Sequence, residues 1–120
     1  MSRTLKFRMW DVENQEMIDA DSLAFEEYAP LSVLLRDTEK QKFMQYTGIR
    51  DKNGIEIYEG DVVKVIPDHH PIVLFRVFWH DYSCGFMLEA LDNGDKGNTI
   101  EKDDDIVVVG NIYQTPELVK

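Results

Sequence analysis

Apolar and polar residues alternate over residues 5–11, with Leu5, Phe7 and Met9 on one side and Lys6, Arg8 and Trp10 on the other. A period of two predicts a half-buried strand. The polar run "DVENQEM" breaks it, and Met17 and Ile18 resume an apolar stretch, so the amino end reads as a hairpin. Residues 21–42 carry a weaker pattern. Asp21 or Ser22 is placed to cap a short helix through Leu23, Phe25 and Glu26, which Pro30 would end by driving Ala29 out of helical geometry. "LSVLLRD" alternates Leu31, Val33 and Leu35 as a strand does, and "TEKQK" follows as a charged loop tip.

The pattern sharpens in the next segment. "FMQYTGIR" and "IEIYEGD" alternate and are joined by "DKNG", where Asn53-Gly54 suits the positive φ of a tight hairpin and Asp51 can bond its own turn backbone. Ile55 and Ile57 are expected on one face, Glu56 and Tyr58 on the other. "YEGD" makes a second sharp turn into "VVKVI". After the loop "PDHHP", the strand "IVLFRVFWHDY" is apolar on both alternating faces, so both are expected to be covered. "CGFMLEAL", the loop "DNGDKGN", the acidic "EKDDD" and a final strand "IVVVGNIY" follow, and Thr115-Pro116 suits the start of a last helical turn. About five short strands after Ile55 suggest a compact sandwich or barrel. The expected fold class is α+β, mainly β. It is a single domain of residues 1–120: an SH3-like small barrel or compact β-core over residues 44–120 with an N-terminal β/α extension over residues 1–43.

Composition narrows the function classes. The chain has 120 residues, enough for one core without disulfide staples. Its formal net charge of −10 repels phosphate backbones and anionic membranes at long range. One cysteine excludes an intramolecular disulfide, and no stretch reads as a signal peptide or a membrane span, so a reducing, cytoplasmic setting is expected.

Candidate chemistry is sparse. His69 and His70 are adjacent and diverge, unlike metal-binding spacings. In "HDYSC", His80 is placed to activate Cys84 with Asp81 orienting the ring, but a lone cysteine before "GFML" is expected to be a small buried apolar residue. Asp103, Asp104 and Asp105 lack the calcium-loop frame and read as a charged edge that discourages aggregation. No phosphate-cradling loop or nucleophile elbow is present. The expectation is no enzyme, no metal and no cofactor.

Three motifs carry a resemblance. The stretch with Gln45, Tyr46, Thr47, Gly48, Asp51, Asn53, Gly54, Ile57, Tyr58, Glu59, Gly60 and Asp61 resembles the YopX-like proteins of bacteriophages and prophages. Phe7, Arg8, Trp10 and Asp11 are similar to that family's opening, and Gly110, Asn111, Ile112, Tyr113, Pro116, Glu117 and Leu118 to its closing motif. The resemblance implies a phage-associated protein of undefined activity, with no catalytic or ligand residues to carry over. Turn residues account for "DKNG" and "EGD" as folding devices, but the polar groups of Gln45, Tyr46 and Thr47 exceed what a strand requires. With Arg8, Trp10 and Tyr113 they form the candidate binding surface, or else a buried Arg-aromatic network. The leading expectation is a non-enzymatic module binding a host or phage protein in the host cytoplasm, with homo-oligomers possible and no membrane partner. The alternative is a nucleic-acid-associated accessory protein of phage replication or transcription, which needs Lys6, Arg8, Lys64 and Arg76 to cluster. A metal-dependent phosphodiester activity comes third.

Overall fold

The computed structural model describes residues 6–19, 39, 41–65, 73–94, 96, 98–100 and 105–119. The chain forms two compact units, Met1–Tyr46 and Thr47–Lys120. The helix expected after Asp21, the strand expected around Val33 and the loop "PDHHP" lie outside the described residues.

In the first unit, β1 (Phe7–Asp11) is flanked by β2 (Glu16–Ile18) and by the first part of β3 (Gln41–Arg50). Both pairings are antiparallel: Trp10 faces Met17 in β2 and Lys42 in β3, and Arg8 faces Met44. The alternation in the sequence is the alternation of the strand, but Met9 and Trp10, on opposite faces, are both buried. The β1–β2 turn is held by the Asp11 carboxylate, which accepts from the Asn14 backbone N–H at 3.2 Å and its amide at 2.8 Å.

In the second unit, β3 runs into the 51–55 turn and neighbours β4 (Glu56–Tyr58). A five-stranded antiparallel sheet follows: β5 (Asp61–Val65), β6 (Leu74–His80), β7 (Gly85–Ala90), β8 (Asn98–Thr99) and β9 (Ile106–Asn111), in the order β8-β7-β6-β5-β9. It is a meander whose last strand returns to pair with its first, with a bulge between Val62 and Val63. One face of this sheet contributes Val63, Val77, Leu88 and Ile106 to a core completed by Ile57 of β4, with Ile49, Phe75, Ile100 and Val108 packed against it. β-branched residues dominate because they fill a pleated surface with little rotamer freedom to lose.

The described residues are mainly β, as the sequence predicts, and include no α-helix. A 3₁₀ turn, Pro116–Val119, starts on the predicted proline. No helix among the described residues is long and apolar enough to cross a membrane. Three expectations need correction. Ile55 lies in the turn rather than in β4 and is exposed, while Ile57 is fully buried. The β6 strand is not covered on both faces to its end, because Trp79 stands 43% exposed beyond the last core position, Val77. Cys84 is exposed rather than buried, since it closes the 81–84 turn at φ 53 with its side chain outside the sheet.

Candidate functional site

From Thr47 onward, the family-like residues of the middle and closing motifs form hydrogen-bonded locks within the second unit. Asp51, 6% exposed, accepts through Oδ1 from the N–H groups of Asn53 (2.8 Å) and Ile55 (2.9 Å), and through Oδ2 from Val108 N–H (2.9 Å). Lys52 N–H donates to Ile106 O at 3.0 Å. The "DKNG" turn therefore bonds along β9 as a short partner would, satisfying backbone groups that an edge strand otherwise leaves open. Thr47 Oγ1 donates to Ile57 O at 2.8 Å and accepts from Ile49 N–H at 3.2 Å, tying β3 to β4.

The "EGD" turn works the same way. Asp61 is buried and accepts from Tyr58 N–H at 2.8 Å. Gly60, at φ 88, donates its N–H to Val77 O at 2.8 Å and accepts from Ile112 N–H at 2.9 Å. That left-handed geometry with backbone bonds on both sides is where glycine is needed. In the closing motif, Asn111 Oδ1 accepts from Tyr113 N–H (3.0 Å) and Gln114 N–H (2.7 Å), and Thr115 Oγ1 donates to Asn111 O at 2.8 Å. A Cβ on Gly110 would overlap Thr115 Oγ1 and lie 2.8 Å from Leu118 Cδ1, so the returning chain fits only over a glycine.

The six candidate residues are distributed as follows. Arg8 and Trp10 share a face of β1, and strand alternation puts Tyr46 on the same face through Met44. Trp10 and Tyr46 are buried, and Lys6 Nζ stands 6.0 Å from the Tyr46 ring centroid. Gln45, opposite Phe7, is on the other face. Thr47 and Tyr113 belong to the second unit, each engaged as described above. The Trp10 and Tyr46 rings on this face are therefore largely withdrawn from water.

The other candidate chemistry resolves into turns. His80 Nδ1 accepts from Ser83 N–H at 3.1 Å and lies 2.9 Å from Ser83 Oγ, while Cys84 Sγ contacts Asp81 O at 3.4 Å. The imidazole nitrogen nearest the turn is thus engaged by Ser83 rather than by the thiol. Asp105 is exposed and 3.9 Å from Lys52 Nζ, and among the described residues no three His, Cys, Asp or Glu side chains converge. Arg76 donates to Glu89 Oε1 through Nε (3.2 Å) and Nη2 (2.9 Å), and Lys96 Nζ is 3.5 Å from Glu89 Oε2.

The feature that sequence reasoning missed is the tip of the β6–β7 hairpin. Trp79 and Phe86 face each other in register, ring centroids 5.1 Å apart and nearly perpendicular. Tyr82, at 95% exposure, is edge-on to His80, which is edge-on to Phe78. The signal was present in "FWHDYSCGF": aromatics crowd a polar four-residue turn, two positions past the last core residue.

The family model described as YopX protein matches residues 6–120. Among solved structures, the crystal structure of protein EF1440 from Enterococcus faecalis is similar with a TM-score of 0.70 at 24% identity, covering 99% of this chain and 100% of that one. At that identity the likeness concerns the fold. No curated protein matches.

Proposed function

The chain belongs to the YopX protein family, and from that membership we propose that it is a phage- or prophage-encoded, non-enzymatic module that binds a host or phage protein in the bacterial cytoplasm and self-associates. The observation that carries this reading is the aromatic hairpin tip, with Trp79 exposed near the end of β6 and Tyr82 exposed on the 81–84 turn. Exposed aromatic side chains bring large contact area at low entropic cost, and interfaces are enriched in them. The strand order, a meander whose last strand pairs with its first, supports the small-barrel reading of the second unit. Such frames host many functions, so the surface rather than the fold argues the role.

The test is an affinity pull-down of the tagged chain from host lysate with and without nuclease. A near-stoichiometric protein partner that survives nuclease is expected; a partner set that vanishes with nuclease overturns the reading. Light scattering tests self-association, and a monomer at all accessible concentrations removes that part. The nucleic-acid alternative is weakened by one observation: Arg76, one of its four cations, has two of its guanidinium nitrogens on Glu89. Salt-sensitive binding to single- or double-stranded probes would restore it.

A further inference from the structure

The chain holds two Asn-Gly pairs, Asn53-Gly54 and Asn93-Gly94, and all four residues are exposed. Asparagine before glycine has a reaction open to it that needs only water. The next residue's amide nitrogen can close a five-membered ring on the side-chain carbonyl carbon, and glycine brings no Cβ to crowd the approach. At the first pair the fold has built a strand lock across the reactive bond. Asp51 Oδ1 accepts from Asn53 N–H at 2.8 Å and from Ile55 N–H at 2.9 Å, one on either side of that bond. Two backbone bonds also span it: Gly54 N–H donates to Asp51 O at 3.0 Å, and Asp51 N–H to Ile55 O at 2.7 Å. The same carboxylate holds Val108 N–H of β9 through Oδ2.

Independently of the interaction-module reading, we propose that Asn53-Gly54 is a self-modification site that converts through a succinimide to isoaspartate. The Asp51 bonds restrain the reaction, and its product releases β9 from the turn. In the first step Gly54 N gives its proton to solvent hydroxide and bonds Asn53 Cγ, and the side-chain nitrogen leaves as ammonia. Water then adds to one of the two ring carbonyls. Opening at Cγ gives aspartate. Opening at the backbone carbonyl gives isoaspartate, whose main chain runs through Cβ and Cγ and whose former backbone carbonyl becomes a free carboxylate. No electrons are transferred, and water is the one co-reactant.

While Gly54 N–H is donated to Asp51 O, its nitrogen is not free to attack, so ring closure waits for the turn to open locally. The product cannot close again as before. With the main chain lengthened between residues 53 and 54, one Oδ1 no longer reaches both N–H groups, and the new carboxylate repels that of Asp51. Val108 N–H and Ile106 O, which the turn satisfies in the unmodified chain, are then left as an open strand edge.

The full chain is incubated at neutral pH and followed by peptide mapping that separates aspartate from isoaspartate at both Asn-Gly pairs. Isoaspartate is expected to accumulate at position 53 of the folded wild type, more slowly than in the urea-unfolded chain. Asp51→Ala raises the rate at position 53 roughly tenfold, by removing acceptors that hold the turn shut. It leaves the rate at position 93 unchanged, so the second pair reports whether the variant is folded. Asp51→Asn, which keeps the acceptor within the turn and loses Val108, raises the rate at position 53 severalfold and serves if Asp51→Ala unfolds. In the purified isoaspartyl form, Lys52 N–H and Val108 N–H exchange roughly tenfold faster than in wild type. Asn53→Asp, which adds the charge without lengthening the main chain, keeps both protected. Absence of conversion in the folded wild type by the time the Asp51→Asn chain has converted fully overturns the proposal. Equal rates at position 53 in wild type and both variants overturn it too, and so does unchanged exchange in the isoaspartyl form.

Discussion

The "DKNG" and "EGD" turns and the β6–β7 tip are tight reversals in the same unit, yet they treat their side chains in opposite ways. At Asp51 and Asp61 the carboxylates turn inward and accept backbone N–H groups; both residues are buried. At the tip, residues 81–84 are all exposed, and the backbone closes on itself while the Tyr82 ring points away. The first kind of turn is a device for holding strands, because removing a side chain there takes the acceptor from backbone donors that are buried at Tyr58 and part-buried around Asp51. The second presents side chains, and removing one leaves the strands as they were. The family-like residues at these turns build the frame, and the aromatics outside those motifs are the ones exposed at the tip.

The comparison breaks first at Asp51. Asp51→Ala leaves three N–H groups without their acceptor, two in the turn and one on β9. The three bonds are part-buried and Asn53 and Ile55 are exposed, so water replaces part of the lost acceptor and the expected destabilisation is about 2–3 kcal/mol, measured by urea unfolding. Asp51→Asn sharpens the point. Its amide oxygen still serves Asn53 and Ile55, but its amide nitrogen cannot accept from Val108, so a smaller loss is expected. An Asp51→Ala protein as stable as wild type would mean that the turn does not hold β9. Next comes Gly110→Ala, whose Cβ meets Thr115 and Leu118. Overpacking of this kind costs about 1–3 kcal/mol. Because Thr115 is on a short turn, the expected response is detachment of the Pro116–Val119 turn, visible as faster amide exchange there.

Most of the frame was legible in the chain, for physical reasons. Period-two alternation marked β1 and β3, and an apolar run bounded by turns marked β6. Asp51 and Asp61 could be placed because turn chemistry is local: their first bonds reach two or three residues along the chain. The second bond of Asp51, to Val108, spans 57 residues and leaves no local trace. For the same reason the candidate set mixed unlike residues. Gln45 and Tyr46 are neighbours in sequence, so alternation sends them to opposite faces, while the return of Thr115 over Gly110 decides the environment of Tyr113. Trp79 was read as core because it keeps the phase of Phe75 and Val77. Phase says which face a residue is on, but not where along the strand the covering layer stops.

A smaller effect is expected at the β1–β2 turn, which belongs with the inward-facing turns although it is exposed. The Asn14 side-chain amide, and then its backbone N–H, hold the Asp11 carboxyl below the ordinary aspartate value of 3.8. A carboxyl lowered in the folded state stabilises it above the unfolded value, and that contribution is lost as pH falls through the lower folded one. Asn14→Ala should therefore raise the Asp11 titration midpoint toward 3.8 and flatten the acid limb of the stability curve, both followed by NMR titration. An unchanged midpoint would remove Asn14 as the cause.

The smallest expected effect on stability decides the most about the comparison. Tyr82 is 95% exposed, and its ring touches only the edge of His80, at 6.5 Å between centroids. Tyr82→Ala should change unfolding free energy by less than about 0.5 kcal/mol, as surface substitutions away from caps and networks do. The β6–β7 register should persist, because it is carried by Trp79–Phe86 and the pairs behind it rather than by the turn side chain. A ring this large that contributes nothing to folding is retained at the surface for another reason or for none. Measured together, an unchanged melting curve and loss of the nuclease-resistant partner in the pull-down assign Tyr82 to recognition. A clear loss of stability would instead make the tip another lock, and the contrast between the two kinds of turn would disappear.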